Sequence, residues 1–200
     1  MRGRNAASRG LWCKLPARRS PVVNVPRFIR RLFRAPYDGL RNLRAVEEGV
    51  LYRCGQPAPG DLRNLIEQLK LRTVIALRGS RDASDPDEWE RAEKAVCDEH
   101  GVRFVSLPCN HKNPPTPEQV ARFLDLVTDP ERTPALVHCR IGQQRTGMFC
   151  ALYRVHVQGV DPDEALREMD EFGFDSRNRR HRRLLDKYRE YAARRPVAAS

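Results

Sequence analysis

The amino-acid sequence predicts an α/β fold, a parallel sheet covered by helices. Three observations carry that expectation. From residue 45 onward, short β-rich runs alternate with stretches of helical period. Helix-start signals stand before the helical stretches, as at Thr116-Pro117 and Asp161-Pro162. The 200 residues are enough for one domain with a buried core.

Val50–Arg53 reads as a short strand, followed by a Gly55-Gln56-Pro57 turn. Asp61–Lys70 reads as a helix, with Leu62, Leu65, Ile66 and Leu69 on one face. The run RTVIAL, Arg72–Leu77, reads as a buried strand. Asp85 is expected to cap a helix with Pro86 at its first position and Gly101 at its end. Arg103–Leu107 is the third strand. The capping box Thr116-Pro117-Glu118-Gln119 opens a helix carrying Val120, Phe123, Leu124 and Val127. Ala135–His138 is the fourth strand, and Thr146–Gln158 the helix after it. Asp161-Pro162-Asp163-Glu164 opens another helix, and Arg179–Arg194 is expected to be a final basic one.

Charge separates the ends from the middle. The formal net charge is +11, and residues 1–44 hold twelve Lys/Arg against a single acid, Asp38. Residues 1–41 are therefore expected to form a basic extension, with residues 42–195 as the folded domain. Within the extension, Phe28, Ile29, Leu32 and Phe33 share a face of a short helix over 26–34, opposite Arg27, Arg30, Arg31 and Arg34. Such a helix can pack on its own domain or lie on an anionic membrane surface, and residues 1–44 can contact nucleic acid weakly. No apolar run approaches the ~18 residues of a membrane span, and no secretory leader is expected. The six cysteines are scattered, with no CxxC pair. They predict reduced thiols in a cytoplasmic protein, with neither a disulfide scaffold nor a metal site.

The stretch VHCRIGQQRTG, Val137–Gly147, sits between a buried strand and a helix start. A loop closing onto a helix N-terminus points backbone N–H groups inward and binds a dianion. Cys139 at its base would feel those donors and Arg145, which lowers a thiol into the activated range. Its thiolate can attack phosphorus in line. Arg145 can grip two equatorial oxygens, Gly142 permits the tight path, and the Thr146 hydroxyl can support the departing sulfur. His138 would order the loop from behind. A nucleotide-binding Walker loop is excluded, because Met148 follows Gly147 where Lys-Ser/Thr would be needed. A merely structural cysteine would leave Arg145, the glycines and Thr146 unexplained.

HCRIGQQRTG, 138–147, resembles the signature of the cysteine-dependent protein tyrosine and dual-specificity phosphatases. LYRCGQPAPGDLRNLIEQLKLRTVIALR, 51–78, is similar to the N-terminal block of their compact atypical bacterial and plant–fungal members. FVSLP, 104–108, and 161–174 follow in the same order, so the resemblance covers roughly residues 42–190. It implies a mostly parallel sheet of four or five strands flanked by helices, and catalysis without metal or cofactor through a phosphocysteine intermediate. Cys139 would be the nucleophile, Arg140, Ile141, Gly142, Gln143, Gln144 and Arg145 the phosphate cradle, and Thr146 the supporting hydroxyl.

One departure matters. The family's general-acid aspartate lies on the loop after the third strand, and here that loop, PCNHKNPPTPE at 108–118, has none. His111 as imidazolium is the candidate donor, with Glu118, Asp82, Asp85 and Asp87 as alternatives. The expected activity is hydrolysis of phosphotyrosine, with phosphoserine and phosphothreonine as further substrates, in proteins or small phosphorylated molecules. The alternatives are an inositol (pyro)phosphate or RNA 5′-phosphate phosphatase, or a phosphate-binding pseudophosphatase. Cys54, then Cys109, then Cys150, are candidate redox partners for Cys139.

Overall fold

The computed structural model describes residues 40–78 and 88–194. The basic extension with its helix at 26–34 lies outside the described residues, as do Asp82, Asp85, Pro86 and Asp87. Among the described residues, five strands and six α-helices follow one another. β1 is Arg44–Glu47, β2 Leu51–Gly55, α1 Pro59–Leu69, β3 Thr73–Ala76, α2 Glu88–Glu99 and β4 Arg103–Ser106. Then come α3 Pro117–Thr128, β5 Ala135–Cys139, α4 Gln144–His156, α5 Pro162–Glu171 and α6 Arg182–Ala192.

The sheet order is β1-β2-β5-β3-β4, with β1 antiparallel to β2 and every other pair parallel. The expected mostly parallel α/β sheet is thus the observed fold. β5 sits at its centre, and all five of its residues are buried, which suits a strand covered on both faces. Alternation sorts them. Leu136 packs with Tyr52, Cys54, Leu62 and Val96, under α1 and α2. Val137 and Cys139 face Phe123, Phe149 and Tyr188, under α3 to α6. Phe123 and Phe149 meet edge to face, with ring centroids 4.9 Å apart.

The helix-start signals behave as their chemistry dictates. Thr116 Oγ1 accepts from the Gln119 N–H and Gln119 Oε1 from the Thr116 N–H, at 3.3 and 3.0 Å. Asp161 Oδ1 accepts from the N–H groups of Asp163 and Glu164. Pro59, not Asp61, begins α1, and Lys70 leaves it in the left-handed region at φ 52°. This is proline's preference for a first helical turn.

Several expectations need correction. β1 was not anticipated: four residues with a register shift between Ala45 and Glu47 are too short to show a period. Gly55 ends β2 instead of opening a turn, because its strand runs on beside β5 with Gly55 opposite Cys139. The helix after the signature begins at Gln144, two residues before Thr146. The final helix is divided: Arg179–His181 is a 3-10 turn capped by Asn178, and the α-helix starts at Arg182. Among the described residues no helix is long and apolar enough to cross a membrane.

Candidate active site

The loop 140–143 leaves the buried end of β5 and enters α4. Three of its carbonyls are held from outside. The Gln56 N–H donates to Arg140 O at 3.2 Å, Asn42 Nδ2 to Ile141 O at 2.9 Å, and Arg53 Nη2 to Gly142 O at 2.5 Å. In a trans peptide the C=O and the following N–H point opposite ways. The N–H groups of Ile141, Gly142 and Gln143 are therefore turned inward, and the α4 N-terminus adds its own. The result is a ring of donors for an anion.

Gly142 is required here twice over. Its φ is +75°, and a Cβ would stand 2.6 Å from the backbone of Cys54 and Gly55. Arg53 is 2% exposed, and its guanidinium lies 4.1 Å from the centroid of the Phe172 ring. That stacking keeps its fork aimed at the loop.

Cys139 sits at the base of this ring, 1% exposed. Burial pushes its thiol up, but the Arg145 guanidinium, the Thr146 hydroxyl and N–H and the Ile141 N–H pull harder. The net position is below the ordinary thiol range. The other described cysteines go the other way. Burial raises Cys54, Cys97, Cys109 and Cys150, so Cys139 is the one thiol of the five drawn toward its thiolate. Thr146 is fully buried, and its Oγ1, which makes no hydrogen bond of standard geometry, is left to act on the Cys139 sulfur. Arg145 is braced: Nη1 donates to Leu77 O at 3.2 Å and Cys109 O at 3.3 Å, which turns the planar group beside the thiolate. Gln143 is backed by Gly173, where a Cβ would stand 2.6 Å from Nε2. Gln144 opens α4, and Arg140 is exposed at the rim.

His138 is fully buried on the opposite face of the sheet, its Nε2 3.3 Å from Glu93 Oε1. His111 is exposed at the tip of a turn closed by Asn110, whose Oδ1 accepts from the N–H of Lys112 and Asn113. The base of that turn is Cys109, whose carbonyl Arg145 holds. Glu118 is fully exposed on the first turn of α3. Alternation separates the candidate redox partners. Cys54 packs toward α1 and α2, whereas Cys109 and Cys150 share the face of Cys139. The Cys54 sulfur thus packs on the opposite face of the sheet from Cys139, although the two groups act on one another electrostatically. Sequence reasoning missed Asn42, Arg53, Gln56 and Glu93. For Arg53 and Gln56 the signal was the YRCGQP stretch at 52–57 itself; Glu93 shares the helical face of Trp89, Val96 and Cys97, while Asn42 left none. Among the described residues no group of three or more His, Cys, Asp or Glu could hold a metal ion.

The chain is 33% identical over 125 residues to the dual specificity protein phosphatase TpbA of Pseudomonas aeruginosa (strain UCBPP-PA14), covering 62% of this chain and 52% of that protein. It is 32% identical over 119 residues to inositol diphosphatase DSP1 of Oryza sativa subsp. japonica, covering 56% and 49%. It thus spans about half the length of these curated relatives. The crystal structure of P. aeruginosa TpbA in complex with phosphotyrosine superposes with a TM-score of 0.56 at 29% identity, over 76% of this chain and 90% of that one. The family described as a DSP-PTPase phosphatase fused to NAD+ kinase matches residues 37–186. A donor ring of that build, with this signature and that match over three quarters of its length, means that the chain belongs to this DSP-PTPase phosphatase family.

Proposed function

We propose that the protein is a cysteine-dependent phosphomonoester hydrolase acting on phosphotyrosine, and also on phosphoserine and phosphothreonine, through a phosphocysteine intermediate. The observation that supports it most is the ring of outward-held carbonyls around a thiol drawn below its usual range. The substrate phosphate enters the ring as a dianion. The Cys139 thiolate forms the S–P bond as the ester oxygen leaves, and Arg145 follows the charge on the equatorial oxygens. Water then attacks phosphorus, the S–P bond breaks, and the Thr146 hydroxyl stabilises the departing thiolate. Five reduced cysteines among the described residues support a cytoplasmic setting.

The leaving oxygen needs a proton, and His111 stands on the turn tied to Arg145 through Cys109. His111→Ala is expected to lower turnover of a tyrosine phosphopeptide by about 10²-fold, as loss of a general acid does. Turnover of p-nitrophenyl phosphate, whose leaving group needs little protonation, should fall less than about threefold. Equal losses on the two substrates remove His111 from proton transfer.

A second reading, hydrolysis of inositol pyrophosphates, is favoured by one feature. The segment bearing Arg177, Arg179, Arg180, Arg182 and Arg183 runs from Gly173, behind Gln143, to the pocket-side turn, where Arg183 Nη1 donates to Lys112 O. That is a basic flank for a polyanion. Its leaving group, a phosphate, also needs less help from an acid. A panel of tyrosine phosphopeptides and inositol pyrophosphates decides between the readings. The expected result is a higher kcat/KM on the phosphopeptides, and the reverse order replaces the first reading by the second.

A further inference from the structure

Behind the nucleophile lies a group of buried polar side chains that the chemistry above does not use. Glu93 of α2 is fully buried, as are His138 of β5 and Gln56 beyond β2. Both Glu93 oxygens, both His138 nitrogens and both Gln56 amide atoms lack a hydrogen-bond partner of good geometry. His138 Nε2 stands 3.3 Å from Glu93 Oε1, and the Gln56 amide also acts on the Glu93 carboxyl. Left unsatisfied, each such group destabilises the fold by about 1–3 kcal/mol, so a core that keeps six of them together uses them for something. Their position says what for. His138 immediately precedes Cys139, and Gln56 holds the first carbonyl of the anion ring through its own N–H.

We propose that Glu93 is a positioning residue for the nucleophile. Acting through His138, its carboxyl fixes the Cys139 backbone behind the anion ring. The inference deepens the hydrolase reading above and rests on it.

The surroundings agree with a protonated acid. Burial pushes the Glu93 carboxyl up to about 8, partly offset by the Gln56 amide and Arg78. Burial drops His138 to about 3, so at neutral pH the contact joins two uncharged groups and is no ion pair. The charged and titratable groups facing Glu93 come from every neighbouring element. They are His138 on β5, Cys54 on β2, Arg78 after β3, and Glu90 and Cys97 on α2 itself; Asp61 of α1 lies near Cys54. Arg78 also packs on the Trp89 ring, 4.6 Å from its centroid, so its charge is shared.

The sign follows from linkage. Glu93 binds its proton more tightly folded than unfolded, so its contribution to stability is complete below the ordinary carboxylate pKa and is lost as pH rises through about 8. Above that pH a buried carboxylate opposes the Cys139 thiolate. The test is the pH profile of p-nitrophenyl phosphate hydrolysis by the full chain and by Glu93→Gln, which keeps volume and a donor but cannot ionise. In the parent, kcat should fall by about fivefold between pH 8 and pH 9, while the thermal midpoint should fall progressively from about pH 5 to about pH 8 and level off above it. In Glu93→Gln both declines should be absent. Glu93→Leu, which loses the grip on His138, should lower kcat by about tenfold or more with little change in KM, and should raise the midpoint of Cys139 alkylation by iodoacetamide.

An alkaline decline that survives in Glu93→Gln overturns the proposal, as does a Glu93→Leu variant with the parent's kcat and alkylation midpoint. If Glu93→Leu does not fold, Glu93→Gln decides alone. A Glu93→Gln chain that cannot fold also overturns it, because an uncharged isostere must suit an uncharged site. The thermal and alkylation measurements need no substrate. A parent that hydrolyses nothing defeats the hydrolase reading and leaves these two arms able to judge Glu93.

Discussion

Replacing Cys139 by serine is expected to lower kcat on p-nitrophenyl phosphate by at least about 10⁴-fold, while the variant still binds phosphate or tungstate. The reason is a separation of labour within the loop. The proposed nucleophile is a single sulfur, whose thiol Arg145, Thr146 and the Ile141 N–H draw down against the penalty of burial. A serine hydroxyl in the same place stays protonated at any pH the fold survives, so no phosphoenzyme forms. The anion ring is held by other atoms. Asn42, Arg53 and the Gln56 N–H grip the outer carbonyls whether or not position 139 carries sulfur. Calorimetric titration with phosphate, beside a single-turnover assay, reads the two properties separately. Retention of more than a small fraction of turnover removes the phosphocysteine from the mechanism, and loss of phosphate affinity shows that the ring depends on the thiolate.

Arg145→Lys is expected to lower kcat by about 10²–10³-fold despite conserving charge. Arg145 performs two tasks with one planar group. Its Nη1 braces the side chain against Leu77 O and Cys109 O, while the rest of the fork lies against the sulfur and the phosphate site. An ammonium on a flexible stem can reach the two carbonyls or the phosphate, but it cannot span both. Arg145→Met, which removes the charge, should also raise the pH midpoint of Cys139 alkylation, since the guanidinium is the largest influence lowering that thiol. A mild effect of the lysine variant on kcat would show that the planar fork does not clamp the transferring group.

The chemistry of the site was legible because it is local. Cys139, Gly142, Arg145 and Thr146 lie within eight residues, and a strand before and a helix after fix what such a loop can do. Helix starts were legible for the same reason, as Thr116 and Asp161 act on N–H groups two or three residues away. What was not legible is remote. Arg53 reaches Gly142 O across 89 positions and Asn42 reaches Ile141 O across 99, and neither contact leaves a trace in composition or period. Glu93 was hidden differently. An acid on an amphipathic helix reads as solvated, and only the helix rotation set by Trp89, Val96 and Cys97 turns it inward. The side to which Cys54 turns was likewise illegible, because alternation along β2 sends its sulfur toward α1 and α2. The start of α4 at Gln144 was missed because glutamine is a weak helix-start residue and Thr146 a strong one.

The long reach of those braces has a consequence for how the protein matures. A nascent chain that has passed Arg145 owns every residue of the signature but not yet the ring, which closes only when β2 and β5 are zipped in parallel over a loop of some eighty residues. Parallel pairing across such a separation is slow relative to local helix formation, so the ring is among the late elements to assemble. Anything that binds it therefore binds the finished fold alone. Phosphate at a hundred times its dissociation constant adds about 2.7 kcal/mol to the native state by mass action. A phosphate seated in the loop would thus act as a clasp on the finished fold.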